Sequence, residues 1–140
     1  MKIANVFNLG MTAIGTILAI ATICNAQADT TSKQKGWYTS AQANRGHQLF
    51  NNYCAECHMP DLTGAAGPAL KGPQFLATWQ TQTLADLLGF EHQNMPANDP
   101  GAVSDSQLAD ITAYILKKNG YPAGKTPLSK GKGNARSLKP

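Results

Sequence analysis

The 140-residue sequence has little of what several common protein classes require. It contains three cysteines, too few for a disulfide-rich scaffold, and no internal repeat is visible. No alternating run of β-branched residues is long enough to predict a sheet. Because 42% of the residues are hydrophobic and 14% are charged, disorder throughout the chain is not indicated either. These absences leave one mostly helical domain of modest size.

A long hydrophobic run is also lacking. The N-terminal apolar stretch covers only residues 11–23, whereas a membrane span needs roughly 20 apolar residues. Small residues, Ala26-Gln27-Ala28, follow it as they do at a signal-peptidase site. We therefore expect residues 1–28 to be a cleaved signal peptide, which predicts a periplasmic protein with no integral membrane segment. A membrane anchor and lipidation at Cys24 are the alternatives.

The composition of the remaining chain changes along its length. Residues 29–39 are polar and show no periodicity, which predicts a flexible N-terminal extension. Residues 40–122 carry the helical patterns and form the predicted domain. From residue 117 to residue 140 there are seven basic residues and no acidic one. We expect residues 123–140 to be a basic, disordered tail, with docking to an acidic partner or an anionic membrane as the alternative.

Capping residues and apolar spacing predict the helices of the domain. Thr39 with Gln42, and Ser104 with Gln107, have the spacing of capping boxes, and apolar residues at helical intervals follow each pair. Gly and Pro residues mark the breaks between the helices. We predict helices over residues 40–51, 81–89 and 104–119, with loops over residues 60–73 and 92–96.

The segment Cys54-Ala55-Glu56-Cys57-His58 matches C-x-x-C-H, the attachment pattern of c-type haem. In this pattern both thiols bond to the porphyrin, and the histidine supplies the fifth iron ligand through Nε2. A structural zinc site would need about four Cys or His ligands, and a thioredoxin-like site would need a βαβ context. A small domain with two long loops also gains stability from a buried, flat cofactor. The motif predicts one covalently bound haem c.

With these residues the chain resembles the class I monohaem cytochromes c, over residues 40–124. In that family a helix with a glycine and an aromatic residue, here Gly46 and Phe50, leads into C-x-x-C-H. It crosses a C-terminal helix that carries an aromatic residue, here Tyr114. The resemblance implies a mostly α cytochrome c fold, with three to four helices and long loops wrapped around the haem.

The resemblance also assigns residues around the haem. The family's Gly-Pro-x-Leu loop appears here as Gly67-Pro68-Ala69-Leu70. It implies that the Pro68 carbonyl accepts a hydrogen bond from Nδ1 of His58 and that Leu70 packs on the haem edge. The alternative for Gly67-Pro68 is an ordinary turn. Trp79 is expected to line the haem pocket, where core packing is the alternative to a bond with a propionate.

Three side chains are candidates for the sixth iron ligand: Met95, His92 and His47. The family supplies a methionine followed by proline from the loop before the last helix, and Met95-Pro96 has that position. We expect Met95 to be the ligand, with His92 of the same loop as its competitor. His47 is expected to be a surface residue of the first helix.

Iron with both axial positions filled by protein has no place for a substrate, which favours single-electron transfer over catalysis. Residues 115–124 resemble cytochromes that accept electrons from bacterial quinoprotein dehydrogenases. This implies a dehydrogenase as donor and an oxidase or another cytochrome as acceptor. The alternatives are a haem subunit bound permanently in a dehydrogenase complex, and a small-ligand sensor in which Met95 dissociates. We expect a monomer that does not bind nucleic acid.

Overall fold

The computed structural model describes residues 36–129 and 135–140 of the chain. Their regular structure consists of five helices, and no strand occurs in these two ranges, so the mostly helical fold is confirmed. The predicted signal peptide lies outside the described residues. None of the helices in these ranges is long and apolar enough to cross a bilayer. The helices are α1 (Ser40–Tyr53), α2 (Ala55–His58), α3 (Gly72–Trp79), α4 (Leu84–Asn94) and α5 (Asp105–Lys118).

Helices α1 and α5 cross at Gly46. A Cβ atom at this position would lie 1.8 Å from the carbonyl oxygen of Asp110, so only glycine permits the approach. Beside the crossing, Arg45 donates two hydrogen bonds, of 2.6 and 2.8 Å, to the Asp110 carboxylate. The rings of Phe50 and Tyr114 meet at a centroid distance of 5.5 Å. This is the crossing of the two helices that the resemblance implies. It supports the C-x-x-C-H segment, which follows α1 directly.

The predicted capping boxes are both present, at Thr39 and at Ser104, so the starts of α1 and α5 are confirmed. The single turn of α2 and the two turns of α3 were not predicted. Lys71 caps α3, and Pro73 lies in its first turn, where its missing N–H costs nothing.

Helix α4 differs from its predicted bounds. A capping box between Thr83 and Asp86 begins it, and it continues through Gly89 to Asn94. His92, expected in a loop, therefore lies in the last turn of α4. Glycine inside a helix costs only about 1 kcal/mol relative to alanine, which the buried side chains on either side of Gly89 outweigh.

The first described residues differ from the expected flexible extension. Trp37 and Tyr38 are buried, with 6% and 3% of their surface exposed. The backbone N–H of Trp37 donates to the carbonyl of Pro122, and that of Gly124 donates to the carbonyl of Tyr38. These bonds join the start of the described chain to the segment that follows α5.

The described residues after Pro122 differ from the expected disordered tail. Leu128 is buried, and its main chain exchanges hydrogen bonds with the side-chain amide of Gln42. Leu138 is fully buried, and its N–H donates to the carbonyl of Gln82. Isolated leucines in a polar, basic segment give no periodic signal, so the sequence alone did not indicate this packing.

Candidate haem site

The two cysteines lie at the junction of α1 and α2. Cys54 caps the end of α1 and the start of α2, and Cys57 lies in the single turn that follows. Neither forms a disulfide; Cys54 is half-buried and Cys57 is exposed. Burial, with a smaller contribution from the charge of Glu91, raises the pKa of Cys54 to about 12.

His58 ends α2 with its ring buried and its orientation fixed. Nδ1 lies 2.7 Å from the carbonyl oxygen of Pro68, which can only accept a hydrogen bond. The proton of a neutral imidazole is therefore on Nδ1, which leaves the lone pair of Nε2 available for a metal. A Cβ atom at Gly67 would lie 2.6 to 3.0 Å from three ring atoms of His58. The Gly67-Pro68 segment thus forms a cradle that holds the imidazole.

The loop after the motif folds back onto it through main-chain hydrogen bonds. The N–H groups of Ala65 and Gly67 donate to the carbonyl of Cys57, and that of Gly64 donates to the carbonyl of His58. Leu62, fully buried below the loop, accepts a hydrogen bond from the N–H of Leu70. These contacts make the loop a compact unit around the imidazole.

Leu70 is half-buried at the far end of this loop and packs against the hydrophobic core. Its carbonyl accepts a hydrogen bond of 2.9 Å from the side-chain amide of Asn119, the C-cap residue of α5. The same Asn119 side chain accepts a bond from the N–H of Gly72. Asn119 therefore fixes the loop to the end of α5, a role that the sequence did not reveal.

Met95 caps the end of α4 in an extended conformation, with φ −123° and ψ 143°. This is the conformation that a following proline favours. Its N–H donates to the carbonyl of Glu91, and its side chain is half-buried. The structure thus places Met95 on a different segment from Cys54, Cys57 and His58, directly after a helix that packs on α5.

The two histidine candidates have other partners. His92 is about half exposed, and its Nδ1 lies 3.0 Å from a carboxylate oxygen of Asp105. His47 is exposed on α1 and stacks on the ring of Tyr114 at a centroid distance of 4.7 Å. To serve as the sixth iron ligand, either imidazole would have to leave these partners and turn towards the haem.

Trp79 is buried at the end of α3, and its ring meets that of Phe90 edge-on at 5.5 Å. Phe90 itself is 45% exposed. This contact joins α3 to α4, so Trp79 packs against the helix that leads to Met95. This position is compatible with Trp79 lining the haem pocket, and also with the alternative that Trp79 packs in the core.

Glu91 is a buried residue that the sequence analysis missed. It is 7% exposed, and its carboxyl group is hydrogen-bonded to the hydroxyl of Thr112 on α5. Burial raises the pKa of Glu91 to about 8, and the bond with Thr112 opposes that shift only in part. Glu91 follows Leu84, Leu87 and Leu88 at helical spacing, which places it on the same buried face of α4. This spacing is the feature of the sequence from which the burial of Glu91 could have been predicted.

The donor groups fit a haem better than a bare metal ion. In residues 36–129 and 135–140, no three His, Cys, Asp or Glu side chains come together as metal ligands. A structural zinc site therefore has no ligand set in this part of the chain. What the structure does provide is one oriented imidazole and two thiols on a single helical turn. This is the donor set of a c-type haem attachment site.

The comparisons agree with this geometry. The family model described as cytochrome c oxidase, cbb3-type, subunit III, matches residues 41–115, which is more than half of the chain. This chain belongs to that family of cytochrome c domains. Cytochrome c-551 of Bacillus subtilis (strain 168) is similar, with 27% identity over 106 residues, which cover 76% of this chain and 88% of that protein. No solved structure matches the chain at a significant level.

The five helices of the described residues thus form a class I cytochrome c fold. As a cytochrome c, the protein carries covalently bound haem c, and the segment from Cys54 to His58 fits the attachment motif. Cytochromes of this family are electron-transfer proteins that exchange electrons with redox partners, and they are not enzymes.

Proposed function

We propose that this cytochrome c is an exported single-electron carrier whose haem is attached through Cys54 and Cys57 and ligated by His58 and Met95. When bound, the haem iron supplies the one-electron redox couple. In this proposal residues 1–28 direct export to the periplasm and are then removed.

The observation that carries the proposal is the contact between His58 and Pro68. The carbonyl of Pro68 keeps the proton on Nδ1, so Nε2 is the free ligand atom. The main-chain bonds of the loop hold this carbonyl in place. An oriented imidazole, one residue after the second thiol, is what a c-type haem needs on its proximal side.

Met95 is favoured over His92 as the sixth ligand by what each side chain contacts. His92 is engaged with Asp105 at the surface, whereas Met95 is half-buried after the last turn of α4. A thioether and an imidazole together raise the reduction potential relative to two nitrogen ligands. His58 and Met95 would together hold the haem iron and leave no place for a substrate, which suits electron transfer.

Electron exchange is proposed to occur on the side of the attachment motif. Cys57 is exposed, and so are the large hydrophobic side chains that flank the motif, Tyr53 at 38% and Met59 at 40%. Exposed apolar groups beside a cofactor suit transient docking, for which interfaces below about 1,200 Å² are typical.

The proposed electron donor is a dehydrogenase, and the resemblance of residues 115–124 indicates the quinoprotein class. The proposed acceptor is an oxidase or another cytochrome.

A second candidate is a haem subunit held permanently in an enzyme complex. The family that the chain matches is named for subunit III of cbb3-type cytochrome c oxidase, which favours this candidate. The two candidates differ in solution. A carrier elutes as a monomer and is reduced by an added donor in a bimolecular reaction, whereas a subunit co-purifies with its enzyme in a fixed ratio.

The proposal is tested by expressing the chain with its leader in a host that matures c-type cytochromes. We expect the exported protein to start at Asp29 and to have the mass of residues 29–140 plus one haem. The variant Cys54→Ser, Cys57→Ser should have the mass of the chain alone. Haem that is removed from the wild-type protein by acidified solvent would contradict covalent attachment. Rapid carbon monoxide binding to the reduced protein at neutral pH would instead favour the sensor alternative.

A further inference from the structure

The last turn of α4 has only one buried residue. From Gly89 to Asn94 every residue is exposed or half-exposed except Glu91, which is buried. His92 in the same turn is held by Asp105, but this pair is about half exposed, and such pairs contribute little. The position of this turn relative to α5 therefore depends mainly on Glu91.

A polar residue is unexpected at this position of the stripe. Leu84, Leu87 and Leu88 precede it, and an apolar residue at position 91 would extend their face. Oε1 of Glu91 is buried and has no hydrogen-bond partner, which costs free energy. A leucine at this position would avoid that cost, but it could not form the directional bond to Thr112 that fixes the orientation of the turn on α5.

Hydrogen-bond counting shows how Glu91 connects the two helices. The hydroxyl oxygen of Thr112, which is fully buried, lies within hydrogen-bonding distance of both Oε2 of Glu91 and the carbonyl oxygen of Leu108, the latter at 2.8 Å. A hydroxyl group has one proton to donate. Both contacts are satisfied if Glu91 is a neutral acid that donates to Thr112, and Thr112 donates to Leu108.

Glu91 also contacts the segment that follows α4, because its main-chain carbonyl accepts the hydrogen bond from the N–H of Met95. One residue thus connects the α5 scaffold, through Thr112, to the segment that carries Met95.

We propose that Glu91 is a positioning residue for Met95, whose hydrogen bond to Thr112 holds the last turn of α4 on α5 and keeps the thioether at the iron. This inference rests on the proposed function, in which Met95 is the sixth ligand. Glu91 does not contact the iron in this proposal; it acts through the helix end from which Met95 emerges.

The test uses the purified haem protein with Glu91→Leu, Thr112→Val and Glu91→Gln. The readouts are the far-red iron-to-thioether absorption band of the oxidised protein and the dissociation constant for added imidazole, which competes with Met95. Glu91→Leu and Thr112→Val should weaken the band and bind imidazole about tenfold more tightly, since a lost buried hydrogen bond has this magnitude. Glu91→Gln should retain the band, because its amide can donate to Thr112.

Leu84→Ala is the matched control, since Leu84 is a buried residue in the first turn of the same helix. It should lower the melting temperature without changing the imidazole affinity. Equal tightening of imidazole binding in Leu84→Ala and Glu91→Leu would overturn the inference, because the effect would then follow stability alone. Imidazole affinity within twofold of wild type in both Glu91→Leu and Thr112→Val would also overturn it.

Met95→Ala separates this inference from the proposed function. Retention of the far-red band in Met95→Ala would overturn Met95 as the ligand, and with it the role of Glu91. Loss of the band in Met95→Ala, combined with wild-type imidazole affinity in Glu91→Leu, would overturn only the role of Glu91.

Discussion

The two segments that are expected to hold the haem of this cytochrome c are stabilised in different ways. The attachment segment, residues 54–70, is folded by main-chain hydrogen bonds between residues that are close in sequence. The distal segment, residues 84–96, consists of α4 and the two residues that follow it, and it is held by side chains and main-chain groups from remote parts of the chain. The first segment is thus held by local bonds, whereas the second depends on the packing of the whole domain.

The difference predicts where each segment is sensitive to substitution. Main-chain bonds tolerate most changes of side chain, so the attachment segment should be vulnerable mainly where a glycine permits a close approach. The distal segment should respond to substitutions far away in sequence, because its contacts come from α5 and from the C-terminal residues.

The largest effect is expected from Leu138→Ala. Leu138 is fully buried, and the main chain around it pairs with Gln82 and Leu84 at the start of the distal segment. Loss of a buried leucine side chain should lower the free energy of unfolding by about 2–5 kcal/mol. Denaturant unfolding of the haem protein measures this. Lys139→Ala, at the exposed neighbouring residue, is the control and should change the value by less than about 0.5 kcal/mol. Equal stability of the two variants would show that the C-terminal residues do not support the distal segment.

Gly67→Ala should affect the attachment segment. The added methyl group would meet the His58 ring at 2.6 to 3.0 Å, so the imidazole or the loop must move. Overpacking of this kind costs about 1–3 kcal/mol, and the misplaced imidazole should lower the yield of haem-loaded protein.

Gly89→Ala is the matched control for that prediction. An added Cβ there meets nothing within 4 Å, and the residue lies inside α4. We expect this variant to be more stable by about 0.5–1 kcal/mol, with an unchanged haem yield. The account of the cradle fails if Gly67→Ala has the haem yield and melting temperature of Gly89→Ala.

The pH dependence of stability should reveal the buried acid of the distal segment. Because the pKa of Glu91 is raised to about 8 in the folded protein, the folded state binds a proton that the unfolded state releases above about pH 4.5. The contribution of Glu91 is therefore most favourable below about pH 4.5 and is lost as the pH rises towards 8. The slope is at most about 1.4 kcal/mol per pH unit.

Glu91→Gln removes the titrating group and is the control for that slope. The difference in unfolding free energy between wild type and Glu91→Gln should shift between pH 5 and pH 8 in favour of the variant. A difference that stays constant across this range would contradict the raised pKa of Glu91.

The smallest effect is expected from the pair formed by His92 and Asp105. Both side chains are about half exposed, and such pairs contribute about 0.2–1 kcal/mol. Asp105→Asn should therefore lower the unfolding free energy by no more than this, and the difference should shrink in high salt. A loss of several kcal/mol would show that the surface pair, and not Glu91, holds the end of α4.

The sequence predicted those features that depend on nearby residues. The capping boxes at Thr39 and Ser104 involve residues three apart, and the C-x-x-C-H segment is a continuous motif. The close approach at Gly46 came from the family resemblance. All of these are encoded within one helix or one turn, or are shared by a family.

The features that were missed depend on tertiary contacts. His92 is helical because the buried face of α4 continues past Gly89, which the periodicity of the leucines alone did not decide. Glu91 was not recognised, because a lone acid on an apolar face can be buried only where a remote residue, here Thr112, provides a partner. The packing of Leu128 and Leu138 depends on surfaces that form only when α1 and α4 have folded.

The most direct test of the account is the far-red absorption band of the oxidised haem protein, recorded side by side for wild type, Met95→Ala and His92→Ala. We predict the band in wild type and in His92→Ala, and its loss in Met95→Ala. A band that survives in Met95→Ala, or that is absent from the wild-type protein, would contradict ligation of the iron by the distal segment through Met95.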